Sequence, residues 1–148
     1  MNTKPDQAVA TFNNGFNCAQ AVFSTYAEEF GIDQTQALKI SCGFGAGMGR
    51  RQEVCGAVSG AILLIGCKHG KTVREDNTAN ELTYKLVREF SEKFTAKHGS
   101  ISCKELLGCN LLTPEGQKFF TENNFKERKC IPYVHDASEL AEVMLMKD

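Results

Sequence analysis

The 148-residue sequence carries seven cysteines, Cys18, Cys42, Cys55, Cys67, Cys103, Cys109 and Cys130, yet no pair of them is spaced as Cys-x-x-Cys. That absence removes the local signatures of thioredoxin-like enzymes, c-type haem attachment and zinc ribbons. An odd number of thiols also cannot be exhausted by internal disulfides, so any shared site has to be assembled from distant segments. A polybasic patch is missing as well. The 17 Lys and Arg and 18 Asp and Glu are intermixed, for a net charge of −1, which gives no reason to expect a nucleic acid or an anionic membrane as partner. No apolar run of signal-peptide type opens the chain, and the longest apolar stretch, Ala57 to Cys67, is too short to span a bilayer. The expectation is a cytoplasmic protein without membrane insertion. A reducing compartment disfavours structural disulfides, which leaves metal ligation, redox chemistry or packing as roles for the thiols. Repeats, low-complexity runs, composition shifts and strand patterns are absent too, so residues 1–148 read as one helical domain.

What is present is helical periodicity with caps. Ala8, Phe12, Phe16, Ala19, Phe23, Tyr26 and Phe30 recur at spacings of three and four and predict one long helix from Asp6 to Phe30, stopped by Gly31. Cys18 lies off that stripe, pointing to a second interface. Asp33 with Gln36 predicts the start of a second helix running to Phe44. From Cys55 to about Gly70 the chain is apolar on nearly every side and reads as a central buried helix, with Gly56 and Gly60 one turn apart leaving room for another backbone. A fourth helix is predicted from Arg74 to His98 on Ala79, Leu82, Leu86, Val87, Phe90 and Phe94. A short one follows Ser102, another follows Thr113-Pro114, and a last one starts at Asp136 after a basic connector from Phe125 to Pro132. The fold class is all-α, a bundle of about six or seven helices around the apolar one.

The most specified stretch runs from Cys42 to Cys55. Its alternating Gly43, Gly45, Gly47 and Gly49 permit backbone conformations closed to other residues, as a loop built for close approach requires. Nucleotide binding fails on detail, because Arg50 stands where a dinucleotide fingerprint needs glycine and no Gly-Lys-Ser/Thr follows for a P-loop. The loop delivers Cys55 to a helix start, where unpaired N–H groups favour a thiolate and Arg50 and Arg51 would add positive charge. Cys103 sits in a similar first turn, and Cys130 follows Arg128 and Lys129. Cys42 and Cys67, among apolar helical residues, read as core filler, and Cys109 is undecided. Glu53 is a candidate for proton transfer, against the plainer reading of a carboxylate near a helix start. His69 and His98 fall at predicted helix ends, where a cation is favourable for structural reasons.

Phe16-Asn-Cys18-Ala-Gln-Ala-Val22, Cys55-Gly-Ala-Val-Ser-Gly60, Cys103-Lys-Glu-Leu-Leu-Gly108 and Lys129-Cys130 together resemble the C-GCAxxG-C-C family of redox-active proteins over nearly the whole chain. The resemblance implies a small helical prokaryotic protein, often encoded near transporters, and transfers the functional cysteines to Cys18, Cys55, Cys103 and Cys130. The expected function is redox chemistry on these four, as an oxidoreductase or electron-transfer protein with an unidentified redox partner. Either they ligate an iron–sulfur cluster, with backbone donors at Gly45, Gly47, Gly49 and Gly56 facing sulfur, or they cycle between thiol and disulfide. The alternative is a non-catalytic domain that binds zinc or another soft metal through the same thiols. A homo-oligomer is compatible with both.

Overall fold

Thr3 opens the first helix by accepting the N–H of Asp6 on its side chain, with Pro5 in the first turn, where a missing N–H costs nothing. The computed structural model describes residues 2–146. Helix α1 is Lys4–Asn13. It ends at Asn14 and at Gly15, whose φ of +102° is left-handed. Asn17 then starts a new helix, α2, Cys18–Ala27, through a complete capping box with Gln20. The single helix predicted from Asp6 to Phe30 is therefore two helices and a closing 3-10 turn, Glu28–Phe30, which stops at Gly31 as expected. The aromatic period survives the break because Phe12, Phe23 and Tyr26 all enter one core.

Helix α3, Gln34–Cys42, starts on Asp33, which accepts the Gln36 N–H at 2.8 Å, and it ends two residues short of Phe44. The glycine-rich loop leads to α4, Gly56–His69. Its residues from Gly56 to Ala61, with Leu64 and Ile65, are buried, and it packs against α2 and against two helices that follow, α5 (Asn77–His98) and α8 (Ile131–Leu145). The central apolar helix is thus where the sequence put it. The room left at Gly60 is filled by backbone, since a Cβ there would lie 2.8 Å from the Ala19 carbonyl oxygen of α2.

Asp76 caps α5, so that helix starts three residues later than Arg74. Only Phe90 and Phe94 of its predicted face are fully buried, and Leu82 is exposed because the first half of α5 extends past the core. Two short helices follow, α6 (Cys103–Leu107), capped by Ser102 and ended by left-handed Gly108, and α7 (Pro114–Glu122), capped by Thr113. The stretch expected as a basic connector is helical instead. Lys126–Cys130 forms a π turn that feeds directly into α8, and Asp136 lies inside α8 without capping anything. Pro132 cannot donate to an α ladder, and the wide turn just before it accommodates the missing N–H. Among the described residues the protein is all-α with eight helices, no strand, and no helix long and apolar enough to cross a membrane. The one extended pairing among the described residues is an isolated antiparallel bridge between Val54 and Ser102.

Candidate functional site

Each of the four cysteines singled out stands at or beside the start of a helix. Cys18 is the first residue of α2, Cys55 the N-cap of α4, Cys103 the first residue of α6, and Cys130 the last residue of the π turn before α8. All four line one cavity of about 150 Å³. Ala46, Asn17 and Gly56 complete it from the loop and helix starts, and Phe12, Leu106, Leu107, Leu111, Phe120 and Tyr133 make the rest of the wall apolar. The Val54–Ser102 bridge fixes part of this arrangement. Cys55 N–H donates to the Ile101 carbonyl and Cys103 N–H to the Glu53 carbonyl, both at 2.7 Å. Side chains alternate across such a pairing, so Cys55 and Cys103 share a face as diagonal neighbours. Among the described residues no three His, Cys, Asp or Glu side chains are gathered so as to hold a metal ion, and all seven cysteines are free thiols.

The loop reaches the cavity through unusual backbone. Ala46, Gly47, Met48, Gly49 and Arg50 all have φ between 53° and 71°, and Gln52 has φ 58°. Five left-handed residues in succession make a single left-handed turn, held by hydrogen bonds such as Gly49 N–H to the Gly45 carbonyl at 2.9 Å. For residues with a Cβ this conformation costs roughly 1–2 kcal/mol each, and strain of this kind persists only where surrounding structure enforces it. The glycines differ in what they permit. A Cβ on Gly56 would lie 2.4 Å from Cys18 Sγ, one on Gly47 would lie 2.5 Å from Gln52 Cα and 2.8 Å from Cys103 Cβ, and one on Gly45 would strike the Asn17 side chain. Gly49 faces open space at the surface, and its left-handed φ is its only constraint.

Burial dominates the electrostatics. Cys55 is 6 % exposed, and burial pushes its thiol well above the ordinary range, with the neighbouring Cys18 adding to the shift. The backbone amides of Ala57 and Val58 pull the other way, as expected at a helix start, but do not prevail. Arg50 and Arg51 give no help: both are exposed, and Arg51 pairs with Glu53 at 3.6 Å. The expectation of Cys55 as a ready thiolate is therefore corrected, because desolvation outweighs the helix terminus. Burial also raises Cys18, against the amides of Ala46, Ala19 and Ala57, and it lifts Cys103 to about 11 and Cys130 to about 12. Lys129 only partly offsets the shift at Cys130. Cys18 adds to the rise at each of Cys55, Cys103 and Cys130, as expected of thiols that line one cavity. Tyr133, also on the cavity wall, is raised to about 12 by burial and by Cys55, Cys130 and Cys103.

The other candidates lie elsewhere. Cys42, expected as filler, is exposed, with only its carbonyl engaged by Asn17 Nδ2 at 2.9 Å. Cys67 is half-buried against the core on the last turns of α4. Glu53 faces solvent with Arg51. His98 ends α5 and pairs with Asp136 Oδ2 at 2.9 Å, outside the cavity. Sequence reasoning missed Gln52, which is 5 % exposed. Its Nε2 donates to the Cys109 carbonyl at 2.7 Å and its Oε1 accepts Leu111 N–H at 2.8 Å. It ties the loop to the segment after α6. A lone Gln between Arg51 and Glu53 carries no sequence signal for that role. Asn17 and Gln20 did carry one, as the capping pattern before Cys18.

No curated protein and no solved structure matches this chain. The family model described as "Putative redox-active protein (C_GCAxxG_C_C)" matches residues 16–144, a span that holds all four cysteines of the cavity, and the chain belongs to that family.

Proposed function

We propose that Cys18, Cys55, Cys103 and Cys130 act as one redox centre that stores electrons by cycling between thiols and a disulfide, with Cys18 as the member shared between pairs. The observation that carries this is the convergence of four distant segments, each bringing a thiol to one apolar cavity. Cysteine is a common space filler. Filler, however, does not account for a glycine at position 56 that leaves room for the Cys18 sulfur, nor for a strained loop that brings the Ala46 amide to it. Oxidation joins two sulfurs and releases two protons and two electrons, which pass to a separate redox partner. The effect of Cys18 on each of Cys55, Cys103 and Cys130 favours it as the thiol shared between pairs. The amides of Ala19, Ala46 and Ala57 around Cys18, and of Ala57 and Val58 around Cys55, support the transient thiolate that exchange requires.

A second reading has its own support. Four cysteines on one cavity, two of which, Cys18 and Cys55, face backbone amides, are a donor set that fits an iron–sulfur cluster, held by Cys18, Cys55, Cys103 and Cys130 and supplying one-electron transfer when bound. A single zinc ion fits less well, because a tetrathiolate site needs every sulfur about 2.3 Å from one ion and the described side chains are not gathered that way. Anaerobic purification followed by iron and acid-labile sulfide analysis, then redox titration of the metal-free protein with alkylation and peptide mapping, separates the readings. The thiol account expects a two-electron couple with Cys18 in the disulfide. Iron and sulfide in stoichiometric amounts would replace it with the cluster, and independent oxidation of each thiol would remove both.

A further inference from the structure

One thiol at the edge of the cavity is used by neither reading. Cys109 lies just past α6, where left-handed Gly108 turns the chain, and it packs against the cluster of Cys103, Leu107 and Leu111 that Cys130 also joins. It is half-buried. On its outer side opens a surface groove of about 450 Å³ lined by Arg51, Lys104, Gly108, Asn110 and Leu112. Gln52 holds the Cys109 carbonyl, and the neighbouring Glu53 carbonyl accepts the Cys103 N–H, so the same end of the loop positions both residues. The four cavity thiols are enclosed by apolar side chains, while Cys109 has the cavity cluster on one side and a cationic groove on the other.

Resting on the thiol–disulfide reading, we propose that Cys109 is the outer thiol of the redox centre, exchanging with a small carboxylate-bearing disulfide held by Lys104 and passing the oxidation inward to Cys103. In the first step Cys109 loses its proton to water and its sulfur attacks one sulfur of the disulfide R–S–S–R. A Cys109–S–S–R bond forms, and R–S⁻ leaves and is protonated. Cys103 then gives up its proton and attacks the Cys109 sulfur, which breaks the mixed disulfide and releases the second R–SH. The sum is one external disulfide reduced to two thiols, and two protein thiols oxidised to a Cys103–Cys109 disulfide. Attack by Cys18 on Cys103 moves that disulfide into the cavity and returns Cys109 to the thiol. Burial raises the Cys109 pKa while the Lys129 ammonium opposes it, so a cation favours the attacking thiolate at the cavity's rim.

Oxidised glutathione is the probe. Reduced Cys103→Ser protein treated with it, quenched by alkylation and mapped by mass, is expected to carry glutathione at Cys109. An adduct at Cys42 or Cys67 instead, or no adduct, would overturn the proposal. Cys109→Ser should slow oxidation by glutathione disulfide roughly tenfold or more, since a buried, mostly protonated thiol is left to react, and still form the cavity disulfide with diamide. Wild-type rates with both oxidants would refute the role of Cys109 and leave the redox centre standing. Failure of wild type and variant alike to form any cavity disulfide with diamide would refute the parent reading as well. Lys104→Gln should slow glutathione disulfide more than the uncharged 2-hydroxyethyl disulfide, and equal effects would remove the anionic substrate class.

Discussion

The cavity is approached from two sides that are built in opposite ways. Where α2 meets α4, two regular helices come together on small residues, and Gly60 lets the Ala19 carbonyl lie against the helix without distorting either backbone. On the other side the segment from Gly45 to Gln52 follows a left-handed turn with four non-glycine residues, Ala46, Met48, Arg50 and Gln52, at positive φ. The regular side supplies stability, burying Val58, Ala61, Leu64 and Ile65 with Val22, Phe23 and Tyr26. The strained side supplies position: it sets the Ala46 amide toward Cys18 and hands Gln52 to the Cys109 carbonyl and the Leu111 amide. Strain concentrated beside the thiols, where four of the five non-glycine residues at positive φ lie, marks where the structure gives up stability for geometry.

That contrast can be broken by substitution. Leu64→Ala, in the regular part, should cost about 2–5 kcal/mol in urea unfolding, yet leave the same cysteines reacting with diamide. Gly47→Ala should cost about 1–2 kcal/mol for its left-handed φ and a further 1–3 kcal/mol for the collision with Gln52 and Cys103, and it should also change which thiols pair, as peptide mapping will read. Gly56→Ala, pressing on the Cys18 sulfur, should cost about 1–3 kcal/mol and slow oxidation of Cys18 in particular. If the loop substitutions lower stability without touching thiol pairing, the two sides do not differ as described.

A pH series sharpens the same point. The folded-state thiols have raised pKa values, so the unfolded chain loses its protons first. Their stabilising effect is complete below about 8.5, the ordinary thiol pKa, and declines as pH rises toward about 11 for Cys103 and about 12 for Cys130. The urea midpoint should therefore fall on the alkaline side, and fall less steeply in Cys103→Ser. A midpoint flat from pH about 8 to about 10 would contradict the burial of these thiols. The smallest effect is expected for Met48→Gly, where relief of left-handed strain is nearly balanced by the entropy of glycine. A gain of up to about 1 kcal/mol, without change in thiol pairing, fits a turn held in place by its neighbours.

The helices with explicit caps were legible in the sequence: Asp33, Ser102 and Thr113 all cap as read, and the run after Cys55 is the central helix. The break at Gly15 was hidden because α1 and α2 turn their aromatics to one core, so the period continues although the helix does not. Pro132 suggested a connector, but in the first turn of α8, after a π turn, it is compatible with helix. For the site, helix-start positions for Cys55 and Cys103 could be read locally, and Cys18 off the aromatic stripe hinted at a second interface. Their raised pKa values could not, because desolvation depends on which distant walls close over a sulfur. The same holds for the hydrogen bonds of Gln52 to Cys109 and Leu111, which exist only once the chain from Cys103 to Leu111 is folded against the loop.

The central claim, that four thiols form one centre with Cys18 as hub, is tested most directly by equilibrium redox titration of metal-free protein with disulfide mapping at each potential. The account predicts one two-electron transition whose disulfide contains Cys18, and loss of that transition in Cys18→Ser but not in Cys42→Ser. A transition that survives Cys18→Ser unchanged, or a disulfide formed only among Cys42, Cys67 and Cys109, would contradict it.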